Sequence, residues 1–186
     1  MHAVHPPSPK TQTMTSLCLA LLLAMCGLFA SGTPTRAAQA LVGIETGLPL
    51  PRFVSLKAGK VNVRVGPSRS HPVLWVYQRK GMPVEVIAEF EHWRRIRDSD
   101  GDIGWIFHSL LDGRRKALVL PTADGEPLML YALPTDNSEI AAAAEPGVVA
   151  KLEACRDDWC RISAGGYAGW TVKDTLWGTY PEDSFE

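Results

Sequence analysis

At 186 residues, 46% of them apolar, the chain holds enough material for one large domain or two small ones. Beyond residue 40 it carries 17 basic and 20 acidic side chains, a net of −3. That balance argues against a general nucleic-acid binder.

The chain opens on a polar stretch containing Lys10, followed by the uncharged run Leu17 to Ala30 and then Ala38-Gln39-Ala40. A membrane-spanning helix needs about 20 apolar residues, so a run of this length with a small-x-small site behind it predicts a secretory signal peptide over residues 1–40. Retention as an anchor is the main alternative and would be the chain's only membrane contact. A third reading, lipidation at Cys26, meets Met25 where a small residue is expected. Removal of the leader takes Cys18 and Cys26 with it and leaves Cys155 and Cys160. In an oxidising compartment, periplasmic or secreted, an even pair reads as a disulfide. A metal site would need further ligands at matching spacing, which His71, His92 and His108 do not supply. No cofactor is expected.

Beyond the leader the chain repeats itself. GMPVEVIAEFEHWRRI from Gly81 corresponds to GVVAKLEACRDDWCRI from Gly147, an offset of 66 residues that matches Trp93 with Trp159 and Ile96 with Ile162. After a one-residue deletion, Gly104-Trp105 corresponds to Gly169-Trp170, and both copies reach a Leu-x-Gly ending, at Leu111 and Leu176. Each copy reads as short strands: Val84, Val86 and Ala88 alternate with Glu85, Ile87 and Glu89, and Asp98-Ser-Asp-Gly-Asp and Ala164-Gly-Gly read as turns. The pattern predicts an all-β fold of two tandem barrels. An N-terminal linker is expected at 41–52, a first barrel at 53–113, a linker at 114–120 containing the charged run Arg114-Arg-Lys116, and a divergent second barrel at 121–180. The patch Asn137 to Glu145 (NSEIAAAAE) is helix-prone and is expected to form a loop with a helical turn.

Four motifs in the first copy carry a family resemblance. Val61-Asn-Val-Arg-Val-Gly-Pro-Ser68, Gly81-x-Pro-Val-x-Val, Trp93-x-x-Ile and Gly104-Trp105-Ile106 together resemble the bacterial Src-homology-3 (SH3) type domain of exported proteins. The second copy keeps the tryptophan and glycine positions but replaces the first motif by Leu128-Met-Leu-Tyr-Ala-Leu-Pro134, so no role of that motif transfers to it. The resemblance implies a five- or six-stranded SH3-like barrel per copy and a binding role connected with the cell envelope.

Cys155 and Cys160 flank Arg-Asp-Asp-Trp; with 156–159 as the turn, the two cysteines oppose each other on adjacent strands at a separation a disulfide spans. The matched positions in the first copy are Glu89 and Arg94, an opposite-charge cross-strand pair. Among the aromatic residues, Trp105 and Trp170, each behind a glycine, are read as structural, while Trp93 and Trp159 stand between packing and a surface platform. Trp75 and Tyr77 share one face of a strand and are the first candidates for a peptide or glycan groove, since aromatic rings give large contact area at low entropy cost. Arg64 points away from the valine face of its strand and is a candidate for tying loops together or for binding a carboxylate with its planar fork. The Asp98 segment lacks the glycine and distal glutamate positions of a calcium loop and reads as an ordinary Asp-Gly turn.

Residues 41–116 carry 13 basic and 8 acidic side chains, residues 117–186 carry 4 and 12. This asymmetry would steer an anionic partner to the first copy or draw the copies together. There is no Gly-x-Ser-x-Gly elbow or phosphate-cradling loop, and the remaining cysteines are committed to each other. The expected function is therefore non-enzymatic recognition of peptidoglycan or an envelope protein; a scaffold or inhibitor subunit docking on one exported enzyme is the alternative.

Overall fold

The computed structural model describes residues 41–186; the leader expected over 1–40, with Cys18 and Cys26, lies outside the described residues. Strands β1 (Leu41–Val42) and β2 (Pro49–Leu50) form a small hairpin. The first barrel follows as β3 (Arg52–Leu56), β4 (Val61–Arg64), β5 (Val73–Tyr77), β6 (Pro83–Phe90), β7 (Trp93–Arg97), β8 (Ile103–Phe107) and β9 (Leu111–Asp112). The second comprises β10 (Lys116–Val119), β11 (Leu128–Tyr131), β12 (Ile140–Ala144), β13 (Val149–Arg156), β14 (Trp159–Ala164), β15 (Tyr167–Val172) and β16 (Leu176–Trp177).

The two sheets have the same strand order, β5-β4-β8-β7-β6-β3-β9 and β12-β11-β15-β14-β13-β10-β16. The agreement extends to irregularities. A bulge falls between Val86 and Ala88 in one copy and between Leu152 and Ala154 in the other. The hairpin turns that follow both place a non-glycine residue at positive φ, Glu91 and Asp157. Matched inward residues build matched cores: Val61, Val63, Val84, Val86, Ile96 and Ile106 are fully enclosed in the first barrel, and Val119, Ala150, Cys155, Cys160 and Ile162 are at most 1% exposed in the second. Period-two burial along short strands is what joins these cores to the sequence pattern.

The Gly-Trp dipeptide of each copy has a steric cause. A Cβ on Gly104 would lie 2.3 Å from Val63 Cγ1, and one on Gly169 2.8 Å from Leu130 Cβ. Glycine lets β4 and β11 cross close inside the barrel, and the tryptophan after it takes the opposite, outer face. Trp105 is half-buried there; Trp170 is buried beneath Arg156, whose guanidinium lies 4.7 Å from the ring centroid.

Two segments differ from expectation. Ile140–Ala144, read as a loop with a helical turn, is strand β12, paired with β11 from Leu128↔Ala144 to Tyr131↔Ile140. The unpaired edge of β11 needs backbone partners, and pairing overrides the weak helix preference of alanine. Residues 114–120, read as a linker, contain β10, which pairs with β13 and β16. Arg115 is not solvated as a charge run implies. It is ion-paired with Asp183 and lies 5.9, 5.8 and 5.5 Å from the rings of Phe53, Tyr180 and Phe185.

The two barrels belong to one compact unit, described over residues 41–186. Phe53, on the outer face of β3, meets Trp177 edge-on at 5.0 Å and Tyr180 at 4.7 Å. The Trp177 indole donates to the Pro83 carbonyl at 3.2 Å, and the Tyr180 hydroxyl donates to Glu85 at 2.9 Å.

Candidate binding site

The outer face of the first barrel is built by β4, β7 and β8. Because Val61 and Val63 point inward, Asn62 and Arg64 point out. Ile96 lies in the core, so by alternation Trp93 shares the outer face with exposed Arg95, although its own neighbours leave Trp93 only 7% exposed. The ladder sets Trp93 opposite Phe107, and their rings meet edge-to-face at 5.4 Å. The turn His108–Leu110 adds Ser109 and Leu110, and the segment after β4 adds Arg69, whose guanidinium lies 5.5 Å from the Phe107 centroid. With Lys60 these groups surround an open pocket of about 460 Å³.

Three cations (Lys60, Arg64 and Arg69) and no carboxylate line that pocket. Arg64 also does the tying considered from sequence: its Nη1 donates to the His71 carbonyl at 2.6 Å, fixing the loop between β4 and β5. An aromatic edge beside the tethered Arg64 guanidinium and the exposed Arg69 suits a ligand with a flat or apolar body and an anionic group, because the ring gives contact area and the fork gives orientation.

Of the candidates read from sequence, the structure brings Arg64 and Trp93 together here and places Trp75 and Tyr77 elsewhere. Both of these pack on the first core, 6.1 Å apart and edge-to-face, closing the barrel from β5. The Tyr77 hydroxyl donates to Asp98 at 2.8 Å. Burial, and then the Asp98 carboxylate beside it, push this phenol well above the usual tyrosine range. Asp98 in turn accepts from the backbone amides of Asp100 and Asp102 at 3.1 and 2.9 Å, so its carboxylate closes the Asp-Gly turn. Phe107, Arg69 and Lys60 were not picked out from sequence. Phe107 is legible only through its pairing with Trp93, and Arg69 only through the path of a loop.

The second barrel has a pocket at the same place with different chemistry. Strand for strand, Met129 stands where Asn62 does, Tyr131 where Arg64 does, and Val172 where Phe107 does. With Trp159 and Asp136 they line about 350 Å³, and Tyr131 meets Trp159 edge-to-face at 5.8 Å. The pocket is apolar with one acid, where its counterpart is basic.

Opposite the β6–β7 hairpin's bulge lies the predicted ion pair. Glu89 accepts from Arg52 at 2.6 Å and stands 3.4 Å from Arg94, and it also receives the Thr46 hydroxyl at 2.7 Å and the Glu45 and Thr46 amides at 3.0 Å. In the second copy the disulfide joins Cys155 and Cys160 across the hairpin with Cα atoms 4.1 Å apart. The bond accords with an oxidising compartment.

Paired small antiparallel barrels of one topology, each with a side pocket, define a tandem-barrel protein. A family model described as bacterial SH3 domain matches residues 57–113 and again 124–178, more than half of the chain, and the chain belongs to that family. Among solved structures it is similar to NlpC2 from Trichomonas vaginalis (14% identity over 73% of this chain and 51% of that one, TM-score 0.32). It is similar also to NlpC1 from the same organism (13%, 73% and 48%, TM-score 0.32) and to an NlpC/P60 family protein from Bacillus cereus ATCC 10987 (11%, 67% and 55%, TM-score 0.31). The chain spans about half the length of these proteins. No curated protein matches it.

Proposed function

We propose that the protein is an exported, non-catalytic binding module, periplasmic or secreted, that recognises peptidoglycan or a protein of the envelope through the outer-face pocket of the first barrel. The observation that carries this reading is the convergence of Arg64, Arg69 and Lys60 on the Trp93–Phe107 pair. Cell wall offers both matching parts, since sugar rings and apolar peptide groups stack on aromatic edges while peptide carboxylates pair with guanidinium. Membership of the bacterial SH3 domain family, the disulfide and the leader expected from the sequence over residues 1–40 all support work outside the cytoplasm. The second pocket, on the same body, adds a different weak contact that gains from effective concentration.

The test is retention on purified, insoluble peptidoglycan. Wild type should be retained, and Arg64→Ala with Arg69→Ala should lower the apparent affinity at least tenfold, on the scale of a lost hot spot of about 1.4 kcal/mol or more. Failure of the wild type to bind, or equal retention of the variant with an unchanged melting temperature, would remove the wall reading.

A further inference from the structure

A cleft of about 670 Å³ lies between the barrels, away from both outer-face pockets. Its base is apolar, with the half-buried ring of Phe185 beside the core residues Leu56 of β3 and Leu152 of β13. Its rim is cationic, with Lys57, Lys80, Arg114, Arg115, Lys116 and Lys151 against the two acids Asp112 and Glu153. Both acids are already occupied. Arg114 takes Asp112 with Nε at 3.0 Å and Nη2 at 2.6 Å, and Glu153 is paired with Arg161 and Lys151. Arg115 is taken by Asp183. Lys57, Lys80 and Lys116 enter none of the ion pairs found among the described residues. Three lysines outside the ion pairs therefore line one cleft, with Lys57 also in the field of the Asp112 carboxylate.

The segment beside the cleft shows what chemistry such a rim accepts. Asp183 and Phe185 form an acidic-aromatic segment held by a single β-bridge: the Asp183 carboxylate sits on Arg115, the Phe185 ring lies against the same guanidinium, and Phe185 exchanges backbone hydrogen bonds of 2.8 and 2.9 Å with Cys155. Burial works against the Asp183 carboxylate, yet the Arg115 hydrogen bond and the Tyr180 amide hold it below the usual range. Lys116 extends into the cleft over Gly81, where a Cβ would stand 2.8 Å from its Nζ.

We infer that the inter-barrel cleft binds an extended acidic peptide segment, its apolar side chain on the apolar base at Phe185 and its carboxylates on Lys57, Lys80 and Lys116. Charge complementarity selects the anion, and the apolar base favours a peptide with an aliphatic or aromatic residue over a bare phosphate chain. The site exists only where both barrels are present, since Lys57 and Lys80 come from one and Lys151 and Leu152 from the other.

The experiment is fluorescence anisotropy of an end-capped, fluorescein-labelled Glu-Phe-Asp-Leu-Glu peptide against the full chain. The wild type should bind in a salt-sensitive manner. Lys57→Glu with Lys80→Glu, both at exposed positions, should weaken binding about tenfold or more at unchanged melting temperature, and so should a Gln-Phe-Asn-Leu-Gln peptide. Because the basic outer-face pocket could take the same peptide, the comparison is made in the Arg64→Ala, Arg69→Ala background. That variant should still bind the peptide and lose it when Lys57→Glu and Lys80→Glu are added. Loss of binding in Arg64→Ala with Arg69→Ala alone would place the peptide in the outer-face pocket and overturn the assignment. Equal binding by the charge-reversed variant, equal binding of the uncharged peptide, or association with phosphatidylglycerol vesicles without peptide binding would each overturn the assignment.

Discussion

Glu89 has no exposed side-chain surface, yet it stays ionised because four hydrogen-bond donors converge on it and Arg94 stands 3.4 Å away. Burial raises its carboxyl, but the Thr46 hydroxyl, Arg52 and the Glu45 and Thr46 amides outweigh burial and bring it from 4.5 to about 2. A depressed carboxylate stabilises the folded state fully above its unfolded value and loses that contribution as pH falls through its folded one. Glu89→Gln should therefore melt earlier than wild type at neutral pH, by on the order of 2 kcal/mol for charged hydrogen bonds lost in an enclosed site. The gap between the two melting temperatures should narrow below pH 4.5 and close towards pH 2. A gap independent of pH would show that the charge plays no part. Sequence reading found the Glu89–Arg94 pair from its register with the cysteines. It did not find Arg52 or the β1–β2 hairpin, because the nearest of those residues lies 37 positions away and no local pattern marks it.

At the scale of elements, the position that Glu89 holds in one copy is held by Cys155 in the other, and each anchors an arm: the hairpin at 43–46 on Glu89, the strand at Phe185 on Cys155. Repeats, strands and the hairpin carrying the disulfide were legible because Trp, Gly and Cys sit at fixed offsets tied to steric need, as Gly104 and Gly169 show. Strand β12 was not, since four alanines favour helix in isolation and only the open edge of β11 makes them a strand. Nor was β10, whose Lys116 looks like a linker charge until its ladder with Lys151 is formed. Arg64 and Trp93, two of the candidates read from the sequence, line the candidate pocket; Trp75 and Tyr77 show the same alternation but pack on the core, a choice made by which side of β5 the barrel closes on. Reduction of Cys155–Cys160 should cost about 2 kcal/mol, the closure entropy of so short a loop. Denaturant unfolding with and without reductant reads it, and a midpoint unmoved by reductant would count against a stabilising bond.

For the whole molecule the question is whether two barrels behave as one body. The junction is made by side chains that an isolated barrel would expose: Phe53 is 7% exposed because Trp177, Tyr180 and Arg115 cover it, and Glu85 is 3% exposed with Arg97 at 2.5 Å and the Tyr180 hydroxyl on its carboxylate. Arg79 adds a hydrogen bond of 2.6 Å to the Gly147 carbonyl, and Ser55 one of 2.7 Å to that of Arg114. The charge division of the sequence thus serves partly inside the molecule, since Arg115 from the basic half binds Asp183 of the acidic half. A shared, desolvated junction couples unfolding, so the wild type should melt in a single calorimetric transition whose calorimetric and van't Hoff enthalpies agree. Phe53→Ala removes the ring common to both aromatic contacts and should cost on the order of 3 kcal/mol. Because Phe53 lies outside both hydrophobic clusters, that loss should fall on the junction and split the melt into two transitions, one per barrel. Two transitions already present in the wild type, or a Phe53→Ala melt that moves without dividing, would show that the barrels are joined without being coupled.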